Sequence, residues 1–226
     1  MWTQVSYAAI VLSGVFIIAI GFIAGEVNSK DIATGVLALF GTFLGATLAF
    51  RLTENKERQR VALDQRRSLN RAMFVLARQH NALHQLKGDY ERYPTPFEKA
   101  FNLPALKPPS YSDLIQNFTE LEFMLEANPD LLFRLTVEQE RFHQAIDSVR
   151  IRNEFYVDEV QPELAKLSLN GKLVSVGEVA KALGERIFGG AMNGADIAYQ
   201  HISKSNDSVV QIQTELRQFA RSYFPG

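Results

Sequence analysis

The first fifty residues contain only three charged side chains, Glu26, Lys30 and Asp31. Val5 to Gly25 is a run of 21 residues without a charge, and Ile32 to Phe50 is a second run of 19. At about 1.5 Å per residue the first reaches roughly 32 Å as a helix, the thickness of a bilayer's hydrocarbon core, and the second is just long enough to cross with little tilt. Runs of this length without a charge are rare in soluble proteins. Inside lipid only a helix bonds all of its own backbone, so both runs are expected to be spanning helices. The linker, Glu26 to Asp31, is polar and six residues long, which makes the two helices antiparallel neighbours with both ends on one side. A cleaved signal peptide is the alternative for the first run. Nothing before Ala8 is charged apart from the amino terminus, however, and the second run would anchor the chain in any case.

The other 176 residues carry 23 basic and 23 acidic groups, enough chain to bury one core of its own. Orientation is read from basic residues close to the membrane. The linker offers Lys30 alone. After the second run come Arg51, Lys56, Arg58, Arg60, Arg66, Arg67 and Arg71, against Glu54, Glu57 and Asp64. This flank is expected to stay in the cytoplasm and touch anionic headgroups, each basic residue contributing about 1 kcal/mol near the surface. The reading is an all-α membrane protein of the bacterial inner membrane with both termini cytoplasmic. Residues 1–50 form a two-helix transmembrane hairpin (spans about 5–25 and 32–50), 51–87 a basic stalk helix, and 88–226 a helical cytoplasmic domain, a bundle of long antiparallel helices.

Small residues stripe both spans: Gly14, Gly21 and Gly25 in the first, Gly41, Gly45 and Ala49 in the second. Such stripes let helix backbones approach closely. They serve either the packing of Gly21 and Gly25 against Gly41, Gly45 and Ala49 within the hairpin, or self-association into a homo-oligomer. No ionisable residue lies inside either span, which argues against a proton relay, an ion-coupled transporter or a charged pore.

No proline or glycine occurs from Ala46 to Lys87, and Leu69, Met73, Leu76 and Leu83 stand close to a heptad seam. Gly88 to Ser112 is expected to be a loop, since Pro94, Pro96, Pro104, Pro108 and Pro109 forbid a regular helix; its aromatics Tyr90, Tyr93, Phe97 and Phe101 suit packing on its own domain, or docking of a partner. Ser112 is expected to cap a helix burying Leu114, Phe118, Leu121 and Leu125. Asn128-Pro129 opens a long helix, roughly to Val160, stopped near Pro162. Ser175 and Glu178 form a capping box opening a helix that ends near Gly189-Gly190, and a last helix runs from about Ala195 to Tyr223. Lys172 to Val176 is the only candidate strand.

Chemistry-bearing motifs are sparse. With no cysteine, disulfides and thiolate metal sites are excluded. His80 and His84, one helical turn apart, could share a metal, but His143 and His201 lie on other helices. Phosphate-cradling loops, nucleophile elbows and His-Glu-x-x-His helices are missing. Residues 72–226 hold 16 basic and 20 acidic groups, so no direct nucleic-acid binding is expected. No cofactor and no enzymatic activity are expected.

The layout, with the string GTFLGATLAF passing directly into RLTENKERQR and then a helical domain, resembles the two-span effector proteins of bacterial retron anti-phage systems. The resemblance covers the chain in size and order of elements and carries no catalytic residue. It implies an abortive-infection toxin that a reverse transcriptase with its noncoding RNA and RNA–DNA product holds silent, released to damage the inner membrane. A rival reading is a membrane tether or sensor whose helical domain docks a cytosolic partner.

Overall fold

The computed structural model describes residues 29–108, 114–168 and 175–224. Among them every regular element is helical and none is a strand. The chain divides into two compact units, Met1–Ala62 and Leu63–Gly226. The expected first span, with Gly14, Gly21 and Gly25, and Ser112 with Lys172 to Val174 lie outside the described residues.

Helix α1, Ser29–Glu91, contains all of the second apolar run and continues past Gly88. Its residues in the first unit are almost uniformly exposed. In the second unit the pattern changes to an alternation of three and four: Leu69, Ala72, Leu76, Gln79, Leu83, Leu86 and Tyr90 are all buried. That spacing keeps one face of a helix turned to a core over six turns.

The proline-rich stretch is not wholly irregular. Helix α2, Pro96–Phe101, begins at a capping box in which Thr95 accepts from the Glu98 N–H and the Glu98 carboxylate accepts from the Thr95 N–H, with Pro96 in the first turn. Proline is tolerated there because its missing N–H would have had no helical partner. The expected helix over Leu114 to Leu125 is replaced by irregular chain, a 3-10 turn at Phe118–Leu121 and a single turn α3, Met124–Ala127. Leu114 and Leu121 are buried as the periodicity requires, but Met124 takes the core position and Leu125 is exposed. Side chains supply the bonds that a helix would have made: Gln79 donates to the Leu114 carbonyl, and Gln139 accepts from the Gln116 N–H.

Asn128 caps helix α4, Pro129–Phe155, by accepting from the Leu131 N–H, with Pro129 in the first turn. The chain does not stop near Pro162. A π-helical turn, Tyr156–Val160, leads into α5, Gln161–Lys166, where Pro162 again occupies the first turn. Ser175 and Glu178 form the expected capping box of α6, Val176–Tyr223. Val176 is therefore helical rather than extended. The break in α6 falls at Gly184, whose φ of 73° lies in the left-handed region, while Gly189 and Gly190 are helical.

Helices α4 and α6 pack extensively on each other, and α2 packs on α6. One core cluster joins the α1 seam to α4, the chain around Leu114 to Met124, and the later part of α6. A second gathers Ala100, Phe101, Tyr156, Val160, Val179, Leu183, Ile187, Ala191 and Ala195.

Candidate functional site: an exposed apolar helix and a gripped proline segment

In the first unit, α1 is long and apolar enough to cross a membrane, and none of its most apolar 18-residue stretch is buried. Val36, Leu37, Phe40, Phe43, Leu44, Leu48 and Phe50 all stand exposed, Leu37 by 72%. Water around so large an apolar surface is unfavourable, so the surface calls for a partner or a lipid phase. Its few polar side chains are already bonded internally. Thr34, Thr42, Thr47 and Thr53 each donate to the carbonyl four residues earlier, at 2.8 to 2.9 Å. A hydroxyl bonded in this way demands nothing of its surroundings.

Gly41, Gly45 and Ala49 recur every fourth residue on this helix. A Cβ at Gly41 or Gly45 would meet nothing within 4 Å among the described residues. The expected partners Gly21 and Gly25 lie outside the described residues. Arg51, Lys56, Arg58 and Arg60 follow on the same helix, all exposed. Arg58 pairs with Glu54, and the other three have no ion pair among the described residues. His80 and His84 have ring centroids 6.0 Å apart, and no group of three or more metal-ligating side chains occurs among the described residues.

The second unit holds a feature that no sequence motif announces. Arg152, on the buried face of α4, has its guanidinium inside the protein without a carboxylate partner among the described residues. Its Nη1 donates to the Pro104 carbonyl at 3.1 Å and to Asn153 Oδ1 at 3.3 Å. Its Nη2 donates to the carbonyls of Lys99, Ala100 and Leu103. Two of these belong to the last turn of α2, where helical carbonyls lack partners and carry partial negative charge. Next to it Asn153 clasps Leu106, accepting from its N–H and donating to its carbonyl. One turn on, the Tyr156 hydroxyl donates to the Phe101 carbonyl at 3.1 Å, and its ring lies 4.6 Å from the guanidinium carbon. The end of α4 thus grips residues 99–106 by their backbone. Burial pulls the Arg152 pKa below its usual value and pushes the Tyr90 phenol up to about 12. Arginine at a core-phase position of an amphipathic helix, three residues after Val149 and four before Tyr156, was the available sequence signal.

A second polar layer crosses the first core. Gln79 donates to Gln139 Oε1 at 3.0 Å, Gln139 contacts His143 at 2.9 Å, and Gln116 donates to the Ala72 carbonyl. The adjacent Glu138 faces α6, accepting from Ser208 at 2.9 Å and Ser205 at 3.4 Å, with Arg141 3.6 Å away. Its side chain is only 3% exposed. Burial raises its pKa above the ordinary carboxylate value, against the opposing pull of the Ser208 bond and the Arg141 charge. These groups hold elements in register, and no nucleophile–base pair is among them. No protein-family model matches the chain, and no curated protein or solved structure matches it.

Proposed function

We propose that this protein is a membrane effector of an abortive-infection defence, a toxin that damages the bacterial inner membrane. In this reading Val5 to Gly25 and Ile32 to Phe50 form a two-span hairpin, both termini are cytoplasmic, and the helical second unit is a cytoplasmic bundle. A reverse transcriptase with its noncoding RNA and RNA–DNA product holds the effector silent. The observation that carries the membrane part is the apolar stretch of α1, none of whose most apolar 18 residues is buried and whose threonines are bonded to their own helix. The stripe of Gly41, Gly45 and Ala49, with nothing within 4 Å of a Cβ at either glycine among the described residues, supports action through assembly of the spans into a homo-oligomer. Arg51, Lys56 and Arg60, exposed and without acidic partners among the described residues, suit the anionic headgroups of the cytoplasmic leaflet. The resemblance to retron effectors supplies the silencing complex.

The test is membrane potential and dye entry in bacteria expressing the chain alone, beside a Gly41→Leu, Gly45→Leu variant. Rapid depolarisation by the parent and its loss in the variant are expected. Equal depolarisation by both would remove the glycine stripe from the mechanism.

A tether or sensor is the second reading, favoured by the apolar side chains exposed on the second unit, Phe74, Leu125 and Phe133 among them. Deleting residues 1–50 separates the two. A tether's domain keeps its cytosolic partner when soluble, whereas an effector loses all harm to the cell.

A further inference from the structure

A cavity of about 160 Å³ lies in the second unit where α2, the end of α4, the π-helical turn and α6 meet. Its base is formed by Ala100, Arg152, Tyr156, Val160 and Ala191, all buried, and its rim by Ile151, Phe155, Gly190 and Gly194, which are at least partly exposed. Apart from Arg152 and the Tyr156 hydroxyl, every side chain around it is apolar. Cavities of about this size, around 150 Å³, hold a benzene-sized molecule when their lining is apolar.

Three local departures from regular packing coincide at this place. The π-helical turn widens the helix at Tyr156 and Val160, and such turns occur frequently at functional sites. Gly190 gives its space to the Phe155 ring, since a Cβ there would fall 2.7 Å from Phe155 Cζ. Gly194, one turn later, has room to spare: a Cβ would meet nothing nearer than Arg152 Cγ at 4.0 Å. The helix could therefore carry a methyl that would narrow the void, and it does not. The cleft therefore stays open at its rim, where Ile151, Phe155, Gly190 and Gly194 are at least partly exposed.

The wall also states a preference. Arg152 lines the cavity as a buried cation with no carboxylate partner among the described residues, its guanidinium held by backbone carbonyls and stacked on the Tyr156 ring. Phe155 and Tyr156 supply aromatic surface beside it. A cation is attracted to the face of an aromatic ring, and aromatic rings favour one another's edges and faces. A saturated molecule of the same size gains neither. We propose that this cavity is a binding site for a small uncharged aromatic molecule, a single ring with at most one polar substituent. Because Arg152 and Ala100 both line the cavity and join α4 to the proline segment, an occupant would also tighten the grip on residues 99–106.

The probes are phenol and its saturated counterpart cyclohexanol, added to the full chain in lipid nanodiscs. The reading is amide hydrogen exchange over residues 151–160 and 190–195. Phenol is expected to slow exchange there severalfold more than cyclohexanol does. Ala191→Leu, which fills the base, is expected to abolish the effect, and Gly194→Ala, a milder filling, to weaken it. No phenol effect in the parent, an equal effect of cyclohexanol, or an effect unchanged in both variants would overturn the proposal.

Discussion

Arg152 satisfies carbonyls of four residues from one side chain, so its loss should be felt well beyond its own contacts. Replacing it by methionine keeps much of its bulk but strands buried acceptors, each costing about 1–3 kcal/mol. Arg152→Met is expected to destabilise the second unit by about 3 kcal/mol or more, read as a lower thermal midpoint. Lysine should rescue little, because one ammonium cannot reproduce the planar fork. Glu138 gives a pH dependence of definite sign. Its pKa is raised in the folded protein, so between the unfolded and folded values the native state holds the extra proton. Stability therefore falls as pH rises through that interval, and the penalty remains in full above it. Glu138→Gln should abolish that slope and leave the protein at least as stable at neutral pH, as measured by unfolding midpoints across pH 4 to 8.

Elements were legible where a local chemical reason governs them. Asn128 with Pro129, and Ser175 with Glu178, mark helix starts that the structure repeats, because a cap needs only neighbours within one turn. The same signature at Thr95 and Glu98 opens α2, yet the surrounding prolines obscured it. Leu114 to Leu125 departs from its helical periodicity for a different reason. Its period is helical, but Gln79 and Gln139, distant in sequence, satisfy its backbone. Glycines divide similarly. Gly189-Gly190 looked like a helix end, whereas the backbone reversal sits at Gly184 and Gly190 is kept for the Phe155 ring. Alanine substitutions should rank accordingly. Gly184→Ala pays for a left-handed φ and Gly190→Ala for a clash, each about 1–3 kcal/mol. Gly189→Ala meets nothing within 4 Å and should be neutral or stabilising by up to about 1 kcal/mol. Thermal midpoints of the three variants check the order. The grip of Arg152, Asn153 and Tyr156 on residues 99–106 was legible only as an arginine out of place, since its partners are backbone atoms that no side-chain motif announces.

At the scale of the molecule, the charge-free run Ile32 to Phe50 is the feature on which the functional reading stands. It becomes a helix with none of its most apolar stretch buried, internally bonded hydroxyls and a small-residue stripe that meets nothing at Gly41 or Gly45 among the described residues. Charge patterning supplied this much because the cost of placing a charge in hydrocarbon is local and large. The proposed silencing complex would depend on surfaces whose complements lie in other molecules, so no pattern within one chain encodes it alone. The absence of cysteine makes the membrane claim directly testable. Single substitutions Leu44→Cys and Gln59→Cys would be probed in intact bacteria and in permeabilised cells with a membrane-impermeant maleimide. The expected result is no labelling at position 44 in either preparation, with position 59 labelled only after permeabilisation. Labelling at position 44 as rapid as at position 59 would place the apolar stretch of α1 in water and contradict the reading.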